Sequence, residues 1–274
     1  MDTQPVSAAM LISVFASGSS GNCALISAGE NHLLIDAGIS MRRITGFLAG
    51  EALRWEDLDG LLVTHEHSDH ILALPMLVKY HDLPIFAPHT VANRLRARYP
   101  ELEEHLCIIP VGECFSVGEM TVTAFHTPHD TDESVGYRVD ADGCSFALAT
   151  DMGHVTDEIR SALTGCGTVL IESNHDEDML LNGPYPLPLK RRILSERGHL
   201  SNGNAALLAS ELARSGTARI ILGHLSRENN LPELALGTVA AALQGTETEL
   251  LCAPPLGALH VTVEPVRESE AVSC

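Results

Sequence analysis

Alternating strand-like and helix-like segments predict an α/β fold for this chain of 274 residues. Short apolar runs alternate with longer segments of helical spacing, and no linker, low-complexity tract or repeat period separates them. Five of the apolar runs end at a histidine or an aspartate, namely His65, His129, Asp151, His175 and His224. Because open sheets place their sites at the carboxyl ends of strands, we expect these five side chains to converge.

The same pattern predicts one domain over residues 1–274, with a core of about residues 11–264. Alternating apolar runs predict strands at residues 11–15, 23–28, 32–36, 61–63, 84–87, 120–125, 135–139, 144–149, 168–171, 219–222, 249–252 and 260–263. Helical spacing predicts helices at residues 41–53, 75–81, 90–98 and 203–214, and a last helix before residue 249. A proline-rich loop at residues 183–188 is the expected place for an external arm, and the polar tail from Arg267 is expected to fray.

The segment from Leu61 to His70 is the most informative stretch of the sequence. Three apolar residues predict a buried strand, and Thr-His-Glu-His-Ser-Asp-His follows where that strand ends. Because positions i and i+2 of an extended chain point the same way, His65 and His67 can share one ion. Asp69 and His70 lie beyond the strand, in a segment predicted to be irregular loop, and can turn toward a second ion. Imidazole and carboxylate donors favour zinc, manganese or iron over calcium.

His-x-His-x-Asp-His after an apolar strand resembles the signature of the metallo-β-lactamase superfamily. The resemblance implies a four-layer αββα sandwich with a one- or two-metal site at one edge. Its ligands for two divalent ions would be His65, His67 and His129 for the first, Asp69, His70 and His224 for the second, and Asp151 as the bridge. His126 competes with His129, and we favour His129 because the family motif has this ligand past the strand end.

The sequence departs from several branches of that superfamily. An aspartate bridge and a histidine after Asp69 differ from the zinc patterns of β-lactamases, which carry a cysteine or an arginine. Leu72 and Ala73 stand where thioesterases of the glyoxalase type usually have a glycine pair. These differences direct attention to the branches that cleave phosphodiesters.

Two further motifs are similar to those of ribonuclease Z and its relatives. Gly-His-Leu-Ser-Asn occupies residues 198–202, and Gly-His-Leu-Ser-Arg occupies residues 223–227. In such proteins the first histidine contacts the scissile phosphate and can donate a proton, a role that would fall to His199. Over about residues 13–243 the chain also looks like the YycJ/WalJ family, which shares the motifs Gly-Pro-Tyr-Pro and His-Leu-Ser-x-Glu-Asn-Asn. That family implies a cytosolic nuclease with 5′-to-3′ exonuclease activity on DNA.

The resemblance and the nearby charges give the remaining residues their expected roles. Asp69 and His199 are the expected catalytic residues, the first as a metal ligand and the second as proton donor or phosphate contact. His175 is expected to contact phosphate or to support a ligand. The other expected substrate contacts are Lys190, Arg191, Arg192, Arg197 and Ser201. A solvated helix face is the alternative for the basic residues.

The net charge of −19 argues against a protein that simply coats nucleic acid. It does not exclude a nuclease, because bound cations and a local basic patch can hold phosphate in an acidic protein. Two alternatives stay open: a metal-dependent hydrolase of a small ester, lactone or cyclic phosphodiester, and a non-catalytic metal-binding regulatory module. Steep weakening with salt would distinguish a nuclease from a small-substrate enzyme.

The sequence also predicts a cytoplasmic protein without a membrane segment. No apolar run reaches the roughly 20 residues of a membrane span, and no basic region followed by an apolar one opens the chain. The seven cysteines are an odd number and lie mostly in apolar runs. That pattern is typical of buried thiols in a reducing compartment.

Overall fold

The computed structural model describes residues 9–265, which form two β-sheets packed face to face with helices on both outer faces. In chain order the strands are β1 (Met10–Ala16), β2 (Cys23–Ala28), β3 (Asn31–Ile35), β4 (Gly60–Leu62), β5 (Ile85–Pro88), β6 (Leu106–Ile109), β7 (Cys114–Val117), β8 (Met120–His126), β9 (Val135–Ala141), β10 (Cys144–Ala149), β11 (Thr168–Glu172), β12 (Arg219–Gly223), β13 (Glu249–Cys252) and β14 (Leu259–Val263). The helices are α1 (Met41–Gly50), α2 (Ser68–Ile71), α3 (Leu74–Tyr80), α4 (His89–Arg98), α5 (Asp157–Leu163), α6 (Glu177–Asn182), α7 (Leu187–Ile193), α8 (Asn202–Arg214) and α9 (Pro232–Ala242). The tail from Arg267 and Cys274 lie outside the described residues.

The strand order explains why site residues gather at one edge. The first sheet runs β14-β1-β2-β3-β4-β5-β6, and the second runs β13-β12-β11-β10-β9-β8-β7. β3 to β6 are parallel, and so are β10 to β13. β8 and β10 each pair antiparallel with β9, so they run in the same direction. The carboxyl ends of β8, β10, β11 and β12 therefore lie at the same edge of their sheet.

Three buried clusters separate the four layers. One lies between the sheets and includes Ile12 of β1 and Phe146 of β10. A second joins α1, α3 and α4 to the outer face of the first sheet, and a third joins α5, α8 and α9 to the second. In β10, Phe146 belongs to the inter-sheet cluster while Ala147 belongs to the helix side, as the two-residue period of a strand requires. The expected four-layer αββα sandwich is confirmed.

Several local predictions were wrong. The ligand segment expected as irregular loop contains α2, a single helical turn. This turn reverses the chain after β4 and brings the ring of His70 to 4.2 Å from that of His65, centroid to centroid. The proline-rich loop ends earlier than expected, since α7 begins at Leu187 with a proline in its first turn. The short edge strands β6 and β7 were not predicted.

The cysteines divide between core and surface. Cys23, Cys144 and Cys166 are buried as expected, whereas Cys107 and Cys114 are exposed on the edge strands β6 and β7. Within residues 9–265, no helix is both long enough and apolar enough to cross a membrane.

Candidate metal centre

All seven expected ligands meet at the carboxyl edge of the sheets. Four groups have donor atoms within 4.8 Å of one another: His65, His67 and His129; His65, His70 and Asp151; Asp69, His70 and His224; and Asp151, Glu172, His199 and His224. The groups share members and so form one continuous cluster. The cluster also contains Glu172, which the sequence analysis did not select, and His199, which it assigned to substrate.

Three residues in or next to this cluster have a strained backbone conformation. Asp36, Asp151 and His224 follow strands and have positive φ values of 59°, 57° and 55°. Residues other than glycine rarely adopt this left-handed region, at a cost of about 1–3 kcal/mol each. Three of the five described non-glycine residues with positive φ thus lie at or beside the converging polar groups.

The first group is built from His65, His67 and His129. The Nε2 atom of His129 lies 3.3 Å from Nδ1 of His67, and the rings of His65 and His67 are 4.6 Å apart. The Nδ1 atom of His65 is 3.0 Å from the hydroxyl of Thr64. That contact leaves Nε2 of His65 to face the cluster.

Asp151 lies between the first group and the second. One of its oxygens, Oδ2, is 3.3 Å from Nε2 of His70, while Oδ1 is 3.3 Å from Nδ1 of His224 and 3.7 Å from Nε2 of His129. The Nε2 atom of His224 is in turn 3.7 Å from Oδ2 of Asp69. Asp151 is thus the carboxylate that touches both groups.

Two further carboxylates contact the Nδ1 atoms of His70, His199 and His224 and so orient these rings. Asp36 lies 2.7 Å from Nδ1 of His70 through Oδ2 and accepts the backbone N–H of Thr64 through Oδ1 at 2.9 Å. Glu172 is fully buried, and its Oε1 lies 2.7 Å from Nδ1 of His199 and 2.9 Å from Nδ1 of His224. Carboxylates that fix the free ring nitrogen of a ligand histidine are a common support in metal sites.

Backbone donors hold Glu172 in turn. Its second oxygen, Oε2, accepts the N–H groups of Met152 at 2.9 Å and Leu200 at 3.1 Å. The sequence does carry a signal for this residue, because Glu172 is the last residue of an apolar strand, as Asp36 directly follows one. Glu172 was not predicted as a site residue because the pattern of strands that end in histidine or aspartate does not include glutamate.

The donor set fits metal ions. Nε2 of His65, Oδ2 of Asp151 and Nε2 of His224 are buried and have no hydrogen-bond partner within residues 9–265. Burial of an unpaired polar atom costs free energy, so such atoms normally find a partner. Here the three atoms belong to histidine and aspartate groups that lie next to one another. Imidazole nitrogen and carboxylate oxygen are donors that suit a transition metal.

The electrostatics favour ligand-competent forms of the anionic groups. Burial would raise the pKa of Asp151, but His224 and His70 hold it well below its usual range. Burial opposes ionisation of Glu172 as well, yet His199 and His224 lower its pKa to about 2. Burial and the neighbouring His70 lower the pKa of His65 well below the usual value. Ionised carboxylates and a neutral imidazole are the forms that bind metal. Against the effect of burial, Asp36 and Asp151 raise the pKa of His70 well above its usual value, and Asp151 raises that of His224 to about 10. These two imidazoles would therefore release a proton on binding an ion.

The two competing histidines occupy different environments. His129 is buried in the cluster, and its Nδ1 lies 3.2 Å from the carbonyl of Gly198. His126 is exposed, and its Nδ1 lies 3.2 Å from Oε1 of Glu158. Only His129 is therefore in a position to act with His65 and His67.

Two of the expected substrate contacts are buried. Ser201 is the N-cap of α8, where its hydroxyl accepts the N–H of Asn204 and donates to Glu177 at 3.0 Å. These contacts give Ser201 a capping role in place of the expected substrate contact. His175 is 1% exposed, and neither of its ring nitrogens has a hydrogen-bond partner in the described chain. That burial is incompatible with a direct phosphate contact in this conformation.

Arg197 is engaged with the ligand loop instead of lying free for substrate. Its Nε donates to the carbonyl of His129 at 2.6 Å, and its Nη2 donates to the carbonyl of Thr131. Arg197 therefore clamps the loop that carries the third histidine, because both donors hold backbone acceptors.

The three consecutive basic residues on α7 differ in their contacts. Lys190 donates to the carbonyl of Leu181 at 2.7 Å, and Arg192 pairs with Asp130. Arg191 is exposed, and its side chain makes no hydrogen bond or ion pair to the described residues. Arg191 is thus the basic group of this segment that is free to meet a ligand.

A groove opens beside the cluster. It has a volume of about 180 Å³ and runs between α7 and the loops after β11 and β12. Tyr185, Leu189 and Ile193 line it together with the polar residues Asn174 and Ser226. His199 also lines the groove, so the groove and the ligand cluster meet at this imidazole.

Comparison with known proteins identifies the family. The model of the β-lactamase superfamily domain matches residues 31–225, which is more than half of the chain. The chain belongs to the metallo-β-lactamase superfamily. Within this superfamily it is 38% identical over 233 residues to exodeoxyribonuclease YycJ of Bacillus anthracis, covering 85% of this chain and 88% of the relative. It is 37% identical over 236 residues to exodeoxyribonuclease WalJ of Streptococcus pneumoniae, covering 84% and 87%. The expected resemblance to the YycJ/WalJ family is confirmed.

Solved structures of the superfamily show the same fold. Zn²⁺-bound PqqB from Methylobacterium extorquens aligns with a TM-score of 0.69 at 16% identity, covering 92% of this chain and 99% of that one. The short form of human tRNase Z aligns with a TM-score of 0.65 at 16% identity, covering 93% and 99%. At this identity the likeness extends to the fold alone.

Proposed function

We propose that the protein is a metal-dependent DNA exonuclease that removes nucleotides from 5′ ends. The observation that carries this proposal is the pairing of His199 with Glu172 at the edge of a complete ligand cluster. A proton-donating group next to a metal site is the equipment that phosphodiester cleavage requires. The identity to relatives named exodeoxyribonucleases supports DNA as the substrate.

We infer two divalent ions, held by the groups described above. His65, His67 and His129 would hold one, Asp69, His70 and His224 the other, with Asp151 between them. Zinc, manganese and iron all suit this donor set. Ions bound there would supply Lewis acidity at the phosphoryl oxygens and a source of hydroxide near neutral pH.

His199 acts on the leaving group in this proposal. Its Nδ1 donates to Glu172, so Nε2 is the nitrogen left for the substrate. Burial lowers the pKa of His199, but the Glu172 carboxylate raises it above the usual value. A protonated imidazole near neutral pH can give its proton to the departing oxygen, and Glu172 stabilises the charged form before that transfer.

The local charges support an anionic substrate despite the overall balance. Charges farther away than about 8–10 Å are largely screened at physiological salt. Ions bound at the cluster and Arg192, which lines the groove beside His199, would therefore dominate the field that a phosphate meets there.

We also infer a single domain, because one hydrophobic core lies between the two sheets and is shared by both. The buried thiols of Cys23 and Cys166 suit a reducing cytoplasm.

The deciding experiment is a substrate panel with metal-reconstituted protein. We expect nucleotides to be released stepwise from 5′-labelled DNA, with much lower efficiency on RNA, esters, lactones and cyclic phosphodiesters. Loss of activity in the His129→Ala variant and its retention in the His126→Ala variant would tie the activity to the cluster. Far higher efficiency on a lactone or a cyclic phosphodiester than on any DNA would instead establish a small-substrate hydrolase.

A further inference from the structure

The groove beside His199 is lined by an aromatic side chain, that of Tyr185. Tyr185 is half-buried in it, next to the apolar side chains of Leu189 and Ile193. Within residues 9–265 the Tyr185 ring stacks on no other aromatic side chain. An aromatic ring with apolar neighbours on an open groove offers a stacking surface, and every nucleobase has a π-face that can use it.

We propose that this groove binds the base of the terminal nucleotide by stacking on Tyr185. The inference rests on the proposed function and specifies its substrate. It concerns the groove residues, none of which except His199 belongs to the ligand cluster.

The position of the groove connects the base to the chemistry. His199 lies both in the groove and in the cluster, so a nucleotide whose base occupies the groove has its phosphate at the His199 end. Arg192 also lines the groove, where it pairs with Asp130. A phosphate that reaches this rim meets a cation and the edge of the metal site at once.

The size of the groove suits a single base. Its volume of about 180 Å³ is below the roughly 300 Å³ at which pockets for drug-sized ligands begin. The occupant is therefore one ring system of the terminal nucleotide.

Stacking also determines which ends are accepted. Base–aromatic stacking depends little on sequence, because it uses the π-face and not the hydrogen-bonding edge. All four terminal bases should therefore be cleaved at similar efficiency. A terminal nucleotide without a base should be a poor substrate.

The test compares single-stranded DNA that ends in a normal nucleotide with the same strand ending in an abasic one. For the native protein we expect kcat/KM to be roughly 5- to 150-fold higher on the normal end, equivalent to about 1–3 kcal/mol per stacked base. In Tyr185→Ala this ratio should fall to near one, and Tyr185→Phe should restore it. Tyr80→Ala, which alters an exposed tyrosine on α3, is the matched control and should keep the native ratio.

A binding measurement separates stacking from turnover. With the slow His199→Ala variant, 2-aminopurine at the strand end should lose fluorescence on binding, and adding Tyr185→Ala should abolish that loss. A native ratio near one, or an unchanged ratio in Tyr185→Ala, would overturn the stacking proposal while leaving the exonuclease proposal intact. Absence of cleavage of any DNA by the native, metal-loaded protein would overturn both.

Discussion

At the scale of single residues, Asp36 and Glu172 decide how the histidine ligands are presented. Asp36 fixes Nδ1 of His70, and Glu172 fixes Nδ1 of His224 and His199. In the neutral ring each carboxylate favours the tautomer with the proton on Nδ1. Nε2 of His199 and His224 is then left for a substrate or an ion, whereas Nε2 of His70 lies 3.1 Å from Nδ2 of Asn22. Glu172 thereby joins His224 and His199 through one oxygen atom.

Replacing His199 by alanine should separate chemistry from metal binding. His199→Ala should lose roughly 10²–10⁴-fold in kcat, the usual scale for general-acid work, while its metal content stays native. Elemental analysis beside steady-state kinetics checks both parts. If metal content falls with activity, His199 is itself a ligand, as its place in the group with Asp151 and His224 would permit.

Replacing Asp151 by alanine should affect both metal positions at once. Its two oxygens contact different groups, so Asp151→Ala should lower occupancy from about two ions per chain to less than one. Elemental analysis after gel filtration measures this, with Asp142→Ala, at an exposed turn remote from the cluster, as the matched control. A harmless Asp151→Ala would contradict the two-metal arrangement.

At the scale of elements, buried amides tie β11, α8 and the loop after β12 together. Asn230 donates from Nδ2 to the carbonyl of Ser173 at 2.9 Å and to Oδ1 of Asn202 at 2.8 Å. The Nδ2 of Asn202 donates back to Oδ1 of Asn230, also at 2.9 Å. These three segments carry Glu172, His199 and His224 at their margins, so the amide network fixes the spacing of the site.

Asn230→Ala should weaken both the fold and the site. Loss of the amide leaves buried partners unpaired at a cost of about 1–3 kcal/mol. For a protein of this size each kcal/mol corresponds to about 2–4 °C in Tm. We also expect a lower kcat, measured beside a thermal melt, with Asn182→Ala on the exposed face of α6 as control. An unchanged Tm and kcat would show that the network is dispensable.

At the scale of the whole molecule, a strongly negative protein must admit a polyanion. The net charge of −19 slows the long-range approach of DNA, so the short-range field near His199 has to compensate. Of the basic residues on α7, Arg191 is free while Lys190 and Arg192 already have partners. Within this segment the positive charge without a partner among the described residues is therefore that of Arg191.

Neutralising Lys190, Arg191 and Arg192 together with glutamine should raise KM and flatten the salt dependence. Each lost phosphate contact lowers the slope of log affinity against log salt by about 0.7 for single strands. Because Lys190 and Arg192 already have partners in the protein, we expect the change to come mainly from Arg191 and to be about 0.7. Metal content should stay native. The matched control replaces Arg94 and Arg96 on α4, which pair with Asp132 and Glu103. Equal effects of both sets would indicate general charge and not local contact.

The sequence predicted the cluster better than its surroundings, for a physical reason. Ligands such as His65 and Asp151 follow apolar strands, and strand direction alone brings such residues to one edge. Arg197, in contrast, meets the carbonyl of His129 across 68 positions of the chain, and no local pattern encodes that contact. Ser201 was assigned to substrate although Ser at the start of a helix is a typical N-cap.

The hydrogen bonds from Arg197 to the loop of His129 limit how the segment from α7 to Arg197 can move. Arg197 holds the carbonyls of His129 and Thr131, and the carbonyl of Gly198 lies against the ring of His129. A Cβ atom at Gly198 would lie 2.1 Å from the carbonyl oxygen of Ile193, so the backbone of this turn packs too closely to accept a side chain there. An outward movement of this segment would pull His129 with it. The segment from α7 to Arg197 therefore cannot open and close independently of the site. A change of substrate preference should then come from substitution of the side chains on α7 that line the groove, and not from movement of the segment.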